Sequence, residues 1–215
     1  MRPSYRFAAF VLRALFRLGY RLEVVGRERV PRDRCLVLAS NHQSNMDPPL
    51  VGAFFPREIS FVAKKQLFAK PWLARLIRHY NAIPLDRSGV DRRAIREIRE
   101  RLDQGRDLLV FPEGTRSRDG RLGKPRSGLG FIVSAAEVDV LPVLILGSRQ
   151  RPGLPGFRPR LRLEYGNPVA RASLPLGRDA ECGDSDGSGR PARSEEITLA
   201  VFRHIQAMFD AAGGA

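Results

Sequence analysis

Apolar residues recur along this 215-residue chain with two different periods, and the shorter period marks strands. Continuous or alternating apolar runs bounded by turn residues are typical of strands that a sheet buries on both faces. Such runs predict seven strands, at residues 22–25, 35–39, 59–63, 82–85, 108–111, 140–146 and 161–165. The run at 35–39, CLVLA, leads straight into the polar stretch Ser40-Asn41-His42.

Helical spacing of apolar residues fills most of the segments between these strands. Helices are predicted at residues 50–55, 71–79 and 128–137, and another runs from a capping pair, Ser88 and Asp91, to Gly105. In the helix at 71–79 we expect the inward side chains to be Trp72, Leu76 and Ile77. Asp47 is expected as the N-cap of the helix that contains Pro48, and Ser194 as the cap of the last helix.

The alternation of strands and helices predicts an α/β fold, with helices covering a mixed, largely parallel sheet. One domain suits this length. The main domain is expected at residues 22–175, followed by a flexible loop at 176–193 that is rich in Gly, Asp, Ser and Arg. A C-terminal helix at 194–215 would pack on the domain through Ile197, Val201, Ile205 and Met208.

The N-terminal segment, residues 1–21, is predicted to hold an amphipathic helix over residues 4–20. Arg6, Arg13 and Arg17 fall on one face, and the apolar residues fall on another: Phe7, Phe10, Val11, Ala14, Leu15 and Leu18. A basic face beside an aromatic and aliphatic face suits a helix that lies in a lipid interface. The alternative is a terminal helix that packs on its own domain. No run approaches the roughly 18 to 20 apolar residues that span a bilayer.

The net charge of +14 limits the classes of binding partner that we expect for this chain. Anionic lipid headgroups and nucleic acid are the usual partners of so basic a chain, and a strongly basic solvated surface is the third interpretation. The arginines are dispersed and no nucleic-acid-binding motif is present, so no nucleic acid partner is expected. The two cysteines, Cys35 and Cys182, form neither a zinc pattern nor a disulfide framework.

His42 is the first candidate for catalysis, because it follows a buried strand, where α/β folds place reacting groups. Asp47 lies five residues on, and a turn can bring its carboxylate to one imidazole nitrogen. That contact would leave the other nitrogen free to act as a base. No serine or cysteine stands in a G-x-S-x-G turn between a predicted strand and a predicted helix, so the attacking hydroxyl is expected to belong to the substrate. The alternative is a loop histidine beside a capping aspartate.

A second polar loop, Glu113-Gly114-Thr115-Arg116-Ser117, also follows a predicted strand and should reach the same edge of the sheet. Gly114 permits a tight turn, Arg116 suits a phosphate, and Glu113 can orient that arginine or accept a substrate hydroxyl. Arg87 and Lys65 are further candidate cations. Taken singly, such a cation is more often a solvated surface residue than a ligand of a phosphate.

Two of these segments resemble the motifs of the glycerolipid acyltransferases. Residues 41–47, NHQSNMD, match N-H-x-x-x-x-D, and residues 111–117, FPEGTRS, match F-P-E-G-T-R-S. The chain resembles a bacterial 1-acylglycerol-3-phosphate acyltransferase over roughly residues 22–170. Four weaker blocks follow the family order: residues 61–67, 83–87, 140–143 and 166–169.

The resemblance implies a role for each candidate residue. His42 would deprotonate the acceptor hydroxyl and Asp47 would orient it. The glycerol phosphate would be bound by Lys65, Arg87, Glu113, Gly114, Thr115 and Arg116. The acyl donor would be acyl-CoA or acyl-carrier protein, the acceptor a lysophospholipid, and no metal or other cofactor is expected. The enzyme would lie on an anionic membrane surface, peripheral or monotopic on its cytoplasmic face.

Three residues depart from the family pattern near the expected phosphate site: Gln66, Asn81 and Asp86. They leave several acceptors open. Lysophosphatidate is the leading one, and glycerol 3-phosphate, a lyso-ornithine lipid or another lysolipid are alternatives. A basic nucleic-acid-binding protein, or a lipid-binding protein that has lost catalysis, would be a different class of function.

Overall fold

The computed structural model describes residues 1–86, 91–154, 156–176 and 190–213, and its centre is a seven-stranded sheet. The strands are β1 (Arg21–Val25), β2 (Leu36–Ser40), β3 (Ile59–Lys64), β4 (Ala82–Leu85), β5 (Asp107–Val110), β6 (Asp139–Leu146) and β7 (Arg160–Tyr165). Their order across the sheet is β1-β7-β6-β2-β5-β3-β4. Each predicted strand is found within one residue of its expected bounds, which confirms the mixed, largely parallel sheet.

Strand direction determines where the loops of the site can lie. Neighbouring strands from β6 to β4 are parallel, whereas β7 is antiparallel to β6 and β1 is parallel to β7. The carboxyl ends of β6, β2, β5, β3 and β4 therefore share one edge of the sheet. We call it the carboxyl edge. The segments that follow β2 and β5, which carry both sequence motifs, leave the sheet at this edge.

Helices cover both faces of the sheet, so the fold has three layers. The helices are α1 (Pro3–Gly19), α2 (Asp47–Phe54), α3 (Pro71–His79), α4 (Arg92–Asp103), α5 (Gly128–Ala135) and α6 (Arg190–Ala211). In β2, Leu36 and Leu38 pack towards α1 and α2, and Val37 and Ala39 pack towards α4, α5 and α6. This period-two alternation with apolar residues on both faces explains why the strand reads as a continuous apolar run.

Helix α1 confirms the predicted helix and shows how it is attached. Tyr5, Ala9 and Phe16 are buried against the domain, with Phe16 packing on the ring of Phe54 in α2. The residues of the predicted apolar face, in contrast, are exposed: Phe7, Phe10, Val11, Ala14, Leu15 and Leu18. The helix thus has two apolar faces, and only one of them is used by the domain.

The expectation that Trp72 and Leu76 face inward is wrong. Trp72 is 67% exposed and Leu76 48% exposed, whereas Ile77 is half-buried. Helix α3 packs mainly against β4 and a 3-10 turn at Lys65–Ala69, and these small elements cover only one side of it. The helical period was visible in the sequence, but the width of the covered face depends on neighbours that the period does not reveal.

Two predicted helix starts are shifted. Helix α6 begins at Arg190, so Ser194 lies inside the helix, where its carbonyl accepts a hydrogen bond from Thr198 Oγ1. Asp91 is the N-cap of α4, accepting from the amides of Arg93 and Ala94. Ser88, its predicted partner in a capping box, lies outside the described residues. So does most of the predicted flexible loop at 176–193, of which residues 177–189 are not described.

Within the ranges that the structure describes, none of the helices is both long and apolar enough to cross a bilayer.

Candidate active site

His42 and Asp47 meet at the carboxyl edge, as their spacing predicts. His42 Nδ1 lies 2.9 Å from Asp47 Oδ2, with the carboxylate fully buried and the imidazole 15% exposed. The same carboxylate oxygen accepts the amides of Gln43 and Ser44, each at 2.7 Å. With Nδ1 held by the carboxylate, the tautomer that protonates Nδ1 leaves Nε2 free to accept a proton.

Asp47 is the first residue of α2 and not its N-cap, which is Met46. The next two helix positions are Pro48 and Pro49, and neither has an amide for a capping side chain to accept. The carboxylate instead turns back towards residues 42–44. Because the two prolines offer no amides, the Asp47 carboxylate does not cap α2. Its hydrogen bonds go to the histidine loop at residues 42–44. Its negative charge still lies at the favourable end of the helix dipole.

Glu113 joins the two motif loops to each other. Its Oε1 accepts the amide of His42 and its Oε2 accepts the amide of Gly123, both at 2.9 Å. The side chain is only 3% exposed, and burial raises the pKa of its carboxyl. The glutamate was predicted to orient Arg116 or to accept a substrate hydroxyl. Its observed partners are backbone amides, so it holds the histidine loop in place.

Further contacts fix the imidazole ring. The ring of Phe111 stacks on it with the centroids 4.0 Å apart and the planes at 21°. The carbonyl of His42 accepts the amide of Ser117 at 2.7 Å. Residues at both ends of the second motif thus touch the histidine of the first, which explains in physical terms why the two motifs occur together.

Asn41 and Gln43 are functional candidates that the sequence reasoning missed. The amide of Asn41 donates to the carbonyl of Ile145 at 2.8 Å and accepts its N–H at 2.7 Å, so it fastens the histidine loop to β6. Gln43 donates to the carbonyl of Gly120. The available signal for Asn41 was its place directly after a buried strand, where a polar side chain needs a partner.

The loop Gly114–Ser117 presents two of its three predicted phosphate-binding residues to solvent. Gly114 has a φ of 67°, which favours glycine, and the space where its Cβ would lie is bordered by the side chain of Arg126. Thr115 and Arg116 are exposed. This arrangement lets both side chains move towards a ligand beside His42.

Lys65 lies apart from this loop, beyond the end of β3. Its ammonium is 3.2 Å from a carboxylate oxygen of Asp86 and is 67% exposed. Both residues line an open cavity of about 980 Å³ that is also lined by Arg78, Arg92 and Arg93, and His42 is not part of that lining. Arg87, the remaining predicted phosphate ligand, lies outside the described residues.

Two side chains beside the strand that leads to His42 are poorly placed to act as nucleophiles. Ser40 is fully buried and its hydroxyl donates to the carbonyl of Asn41. Cys35 lies before β2, at the opposite edge of the sheet, where burial raises the pKa of its thiol. Across the described parts of the chain there is also no cluster of three or more His, Cys, Asp or Glu side chains that could hold a metal ion.

Comparison with known proteins connects this geometry to a family. The family model described as Acyltransferase matches residues 21–146, more than half of the chain. The match begins at β1 and ends with β6, and it includes His42, Asp47, Phe111 and Glu113. Helices α1 and α6 lie outside it.

Individual relatives of this chain are also named as acyltransferases. A probable 1-acyl-sn-glycerol-3-phosphate acyltransferase of Mycoplasma pneumoniae is 33% identical over 141 residues, which are 62% of this chain and 52% of that protein. The 1-acyl-sn-glycerol-3-phosphate acyltransferase of Pseudomonas aeruginosa is 34% identical over 143 residues, 64% of this chain and 53% of that protein. The chain thus spans about half the length of these curated relatives.

The similarity to one solved structure extends over the whole fold of this chain. The crystal structure of the 1-acyl-sn-glycerophosphate acyltransferase PlsC of Thermotoga maritima superimposes with a TM-score of 0.70 at 29% identity. The superposition covers 100% of this chain and 85% of that one.

Proposed function

The chain belongs to the Acyltransferase family, and from this membership we propose that it moves a fatty acyl group from a thioester to the free hydroxyl of a lysophospholipid. The proposed acceptor is 1-acylglycerol 3-phosphate, and the product is phosphatidic acid. The observation that carries the proposal is the His42–Asp47 pair, whose Nε2 is left free at the edge of the sheet. The names of the relatives and of the solved structure support this choice of acceptor.

The mechanism is direct transfer. The acceptor hydroxyl donates to Nε2 of His42, and the imidazole takes its proton as the oxygen attacks the thioester carbonyl carbon. Asp47, hydrogen-bonded at Nδ1, stabilises the imidazolium that forms. The tetrahedral intermediate then collapses, the carbon–sulfur bond breaks, and His42 returns the proton to the departing thiolate. General-base assistance of this kind contributes typically about 10²–10⁴-fold to a rate.

The acceptor phosphate is proposed to lie between Arg116 and Lys65. Strand β3 is two strands from β2, a separation of roughly 10 Å across the sheet, which long cationic side chains can bridge from both sides. Thr115 and the turn at Gly114 add donors near His42. Glu113 contributes by holding the loop, not by touching the phosphate.

The donor is proposed to be acyl-CoA or acyl-carrier protein. The thioester supplies the activated acyl group, so the transfer needs no metal and no other cofactor. Both donors are acidic, and a chain with a net charge of +14 attracts them at long range. Both are also found in the cytoplasm, which is the reason for proposing the cytoplasmic face of the membrane as the site of action.

Membrane attachment is proposed to occur through α1. Its exposed apolar face includes Phe7 and Phe10, which are 71% and 69% exposed, and Arg6 and Arg17 lie beside that face. Burying such residues in the headgroup region removes apolar area from water, and each nearby arginine adds about 1 kcal/mol on anionic lipid. This attachment is peripheral or monotopic and delivers the enzyme to its lipid acceptor.

One observation favours a second candidate acceptor. Lys65 already has a carboxylate partner, Asp86, in the region proposed for the phosphate. A negative charge there disfavours a doubly charged phosphate and suits a zwitterionic headgroup, such as that of a lyso-ornithine lipid. Acyl transfer to that hydroxyl would use the same histidine and the same mechanism.

An acceptor panel distinguishes these candidates. Purified protein and one radiolabelled acyl-CoA are incubated with lysophosphatidate, glycerol 3-phosphate, lyso-ornithine lipid or lysophosphatidylcholine, and the labelled lipids are separated. We expect kcat/KM to be highest for lysophosphatidate. Preference for the lyso-ornithine lipid would move the proposal to the second candidate, and absence of transfer to all four acceptors would contradict it.

A further inference from the structure

The loop that joins β6 to β7 exposes two large apolar side chains for which the domain offers no cover. Among the described residues, Phe157 (89% exposed) and Leu154 (78%) are the most exposed large hydrophobic residues, ahead of those on α1. We call these two side chains the loop tip. Neighbouring exposed apolar side chains that polar residues surround are one mark of a protein or membrane contact site.

The loop is fastened to the C-terminal end of α1. Gly153 donates its amide to the carbonyl of Gly19 at 2.9 Å, and Arg158 Nη1 donates to the carbonyl of Arg17 at 2.9 Å. Tyr20 Oη donates to the carbonyl of Gln150 at 2.8 Å. These bonds anchor the loop on both sides of its tip. Leu154 and Phe157 are therefore held next to the helix that we propose as the membrane anchor.

The position of the loop relates it to the catalytic centre. Strand β6 is parallel to β2, so the β6–β7 loop leaves the sheet at the carboxyl edge, where the His42 loop also lies. Asn41 fastens the His42 loop to Ile145, the last residue but one of β6, through two hydrogen bonds. A surface that binds the loop tip therefore lies at the edge where the acceptor hydroxyl must arrive.

A basic cavity beside the loop indicates the charge of that surface. The open cavity has a volume of about 870 Å³ and is lined by Arg17, Arg21, Arg158 and Arg160, together with Arg162. Arg162 is paired with Glu23 and Glu164, whereas Arg21 and Arg160 have no ion pair with any carboxylate in the described parts of the chain. Arginines of this kind match the phosphates of anionic lipid headgroups.

We propose that the β6–β7 loop is a second membrane-contacting element, which inserts Leu154 and Phe157 into the interface of an anionic bilayer. The cavity arginines bind headgroup phosphates beside it. Contacts at α1 and at the loop tip together turn the carboxyl edge towards the bilayer, so that a lysolipid reaches His42 without leaving the membrane. The inference rests on the proposed function for its choice of a lipid surface over another partner.

Vesicle binding tests the loop without requiring any catalysis. The double variant Leu154→Ser/Phe157→Ser is compared with wild type by co-sedimentation on phosphatidylcholine vesicles with and without phosphatidylglycerol. We expect the double variant to bind anionic vesicles at least about tenfold more weakly. The matched control is Leu199→Ser, since Leu199 is 40% exposed on α6, across the sheet from α1. Its binding should stay within about twofold of wild type.

A tryptophan reporter locates the loop tip directly. Trp72 is the only tryptophan in the chain, so Phe157→Trp in a Trp72→Phe background gives a single emission from the loop. We expect a blue shift of that emission with anionic vesicles, and none for Leu199→Trp in the same background. Bound protein whose tryptophan at position 157 shows no shift would overturn the proposal. So would a double serine variant that binds as wild type does.

The two proposals can fail separately. Wild-type protein that binds vesicles through the loop tip but transfers no acyl group would refute the proposed function and still support the membrane contact of the loop. Wild-type protein that transfers acyl groups but does not bind anionic vesicles would refute only the proposed membrane contact of the loop.

Discussion

The two parts of the candidate site are built in opposite ways. Asp47, Glu113 and Asn41 are each at least 97% buried, and their side-chain hydrogen bonds hold the loop around His42 from several directions. The cations proposed for the phosphate, Arg116 and Lys65, are exposed, and Lys65 pairs with a surface carboxylate. One part is rigid before the substrate arrives, and the other can adapt to it.

The difference follows from what each part has to do. A base must hold its proton acceptor within a hydrogen bond of one hydroxyl, and an error of 1 Å costs rate, so fixed geometry is favourable. A phosphate can be bound by any cation that reaches it, and burying an arginine without a partner is costly. Variants in the rigid part should therefore change kcat or stability, whereas variants in the exposed part should change KM.

The largest effect is expected at the base. Replacing His42 with alanine removes the proton acceptor, and we expect kcat to fall by about 10²–10⁴-fold with little change in the acceptor KM. Steady-state transfer to lysophosphatidate measures both constants. His204→Ala, on the exposed surface of α6, is the matched control and should leave them unchanged. A His42→Ala enzyme with normal kcat would remove the histidine from the mechanism.

The next largest effect is expected at the support of the base. Asn41→Ala leaves the buried N–H and carbonyl of Ile145 without their partner, which should lower the free energy of unfolding by about 2–5 kcal/mol. Urea denaturation measures this loss. Ser134→Ala, which removes one half-buried hydrogen bond in α5, should cost about 1 kcal/mol or less. Equal losses in the two variants would show that Asn41 is not a special anchor.

A smaller effect is expected at the exposed cation. Arg116→Ala should raise the acceptor KM about tenfold at low salt and leave kcat nearly unchanged, because the residue binds charge and takes no part in proton transfer. The difference should shrink as salt screens the interaction. Arg118 is also exposed and lies two residues further along the chain, so Arg118→Ala is the matched control. Similar KM values for the two variants would show that residues other than Arg116 bind the phosphate.

The smallest effect is the pH dependence that Glu113 contributes. Burial raises the pKa of this carboxyl above the 4.5 that it has when unfolded. The native state therefore holds the proton to a higher pH, and the contribution of Glu113 to stability declines as pH rises from 4.5 through the raised pKa. Glu113→Gln lacks this titration. The stability of wild type minus that of the variant, from urea denaturation, should fall over that window, and a constant difference would contradict the assignment.

The rigid part was the easier of the two to predict from the sequence, though only in outline. The apolar runs placed the strands, and the order of motifs after β2 and β5 brought His42 and the Glu113 loop to one edge. The role of Glu113 was not predictable, because its partners are backbone amides at His42 and Gly123 that the fold brings together over long sequence distances. Asn41 was missed for the same reason.

The surface was harder to predict. The exposed face of α1 was identified by its period, but the buried face formed by Tyr5, Ala9 and Phe16 was not, because a 17-residue helix can carry two apolar stripes. Trp72 was expected to be buried and is exposed. A helical period shows which residues share a face, but the neighbours that cover a face are set by tertiary packing.

Direct transfer is the central claim, and labelled donor tests it most simply. Purified protein is incubated with radiolabelled acyl-CoA, a sample is denatured to measure label on the protein, and lysophosphatidate is then added. The account predicts that the denatured protein carries no label and that labelled phosphatidic acid forms only after the acceptor is added. Label bound to the denatured protein in a one-to-one ratio, and transferred to the acceptor afterwards, would contradict it.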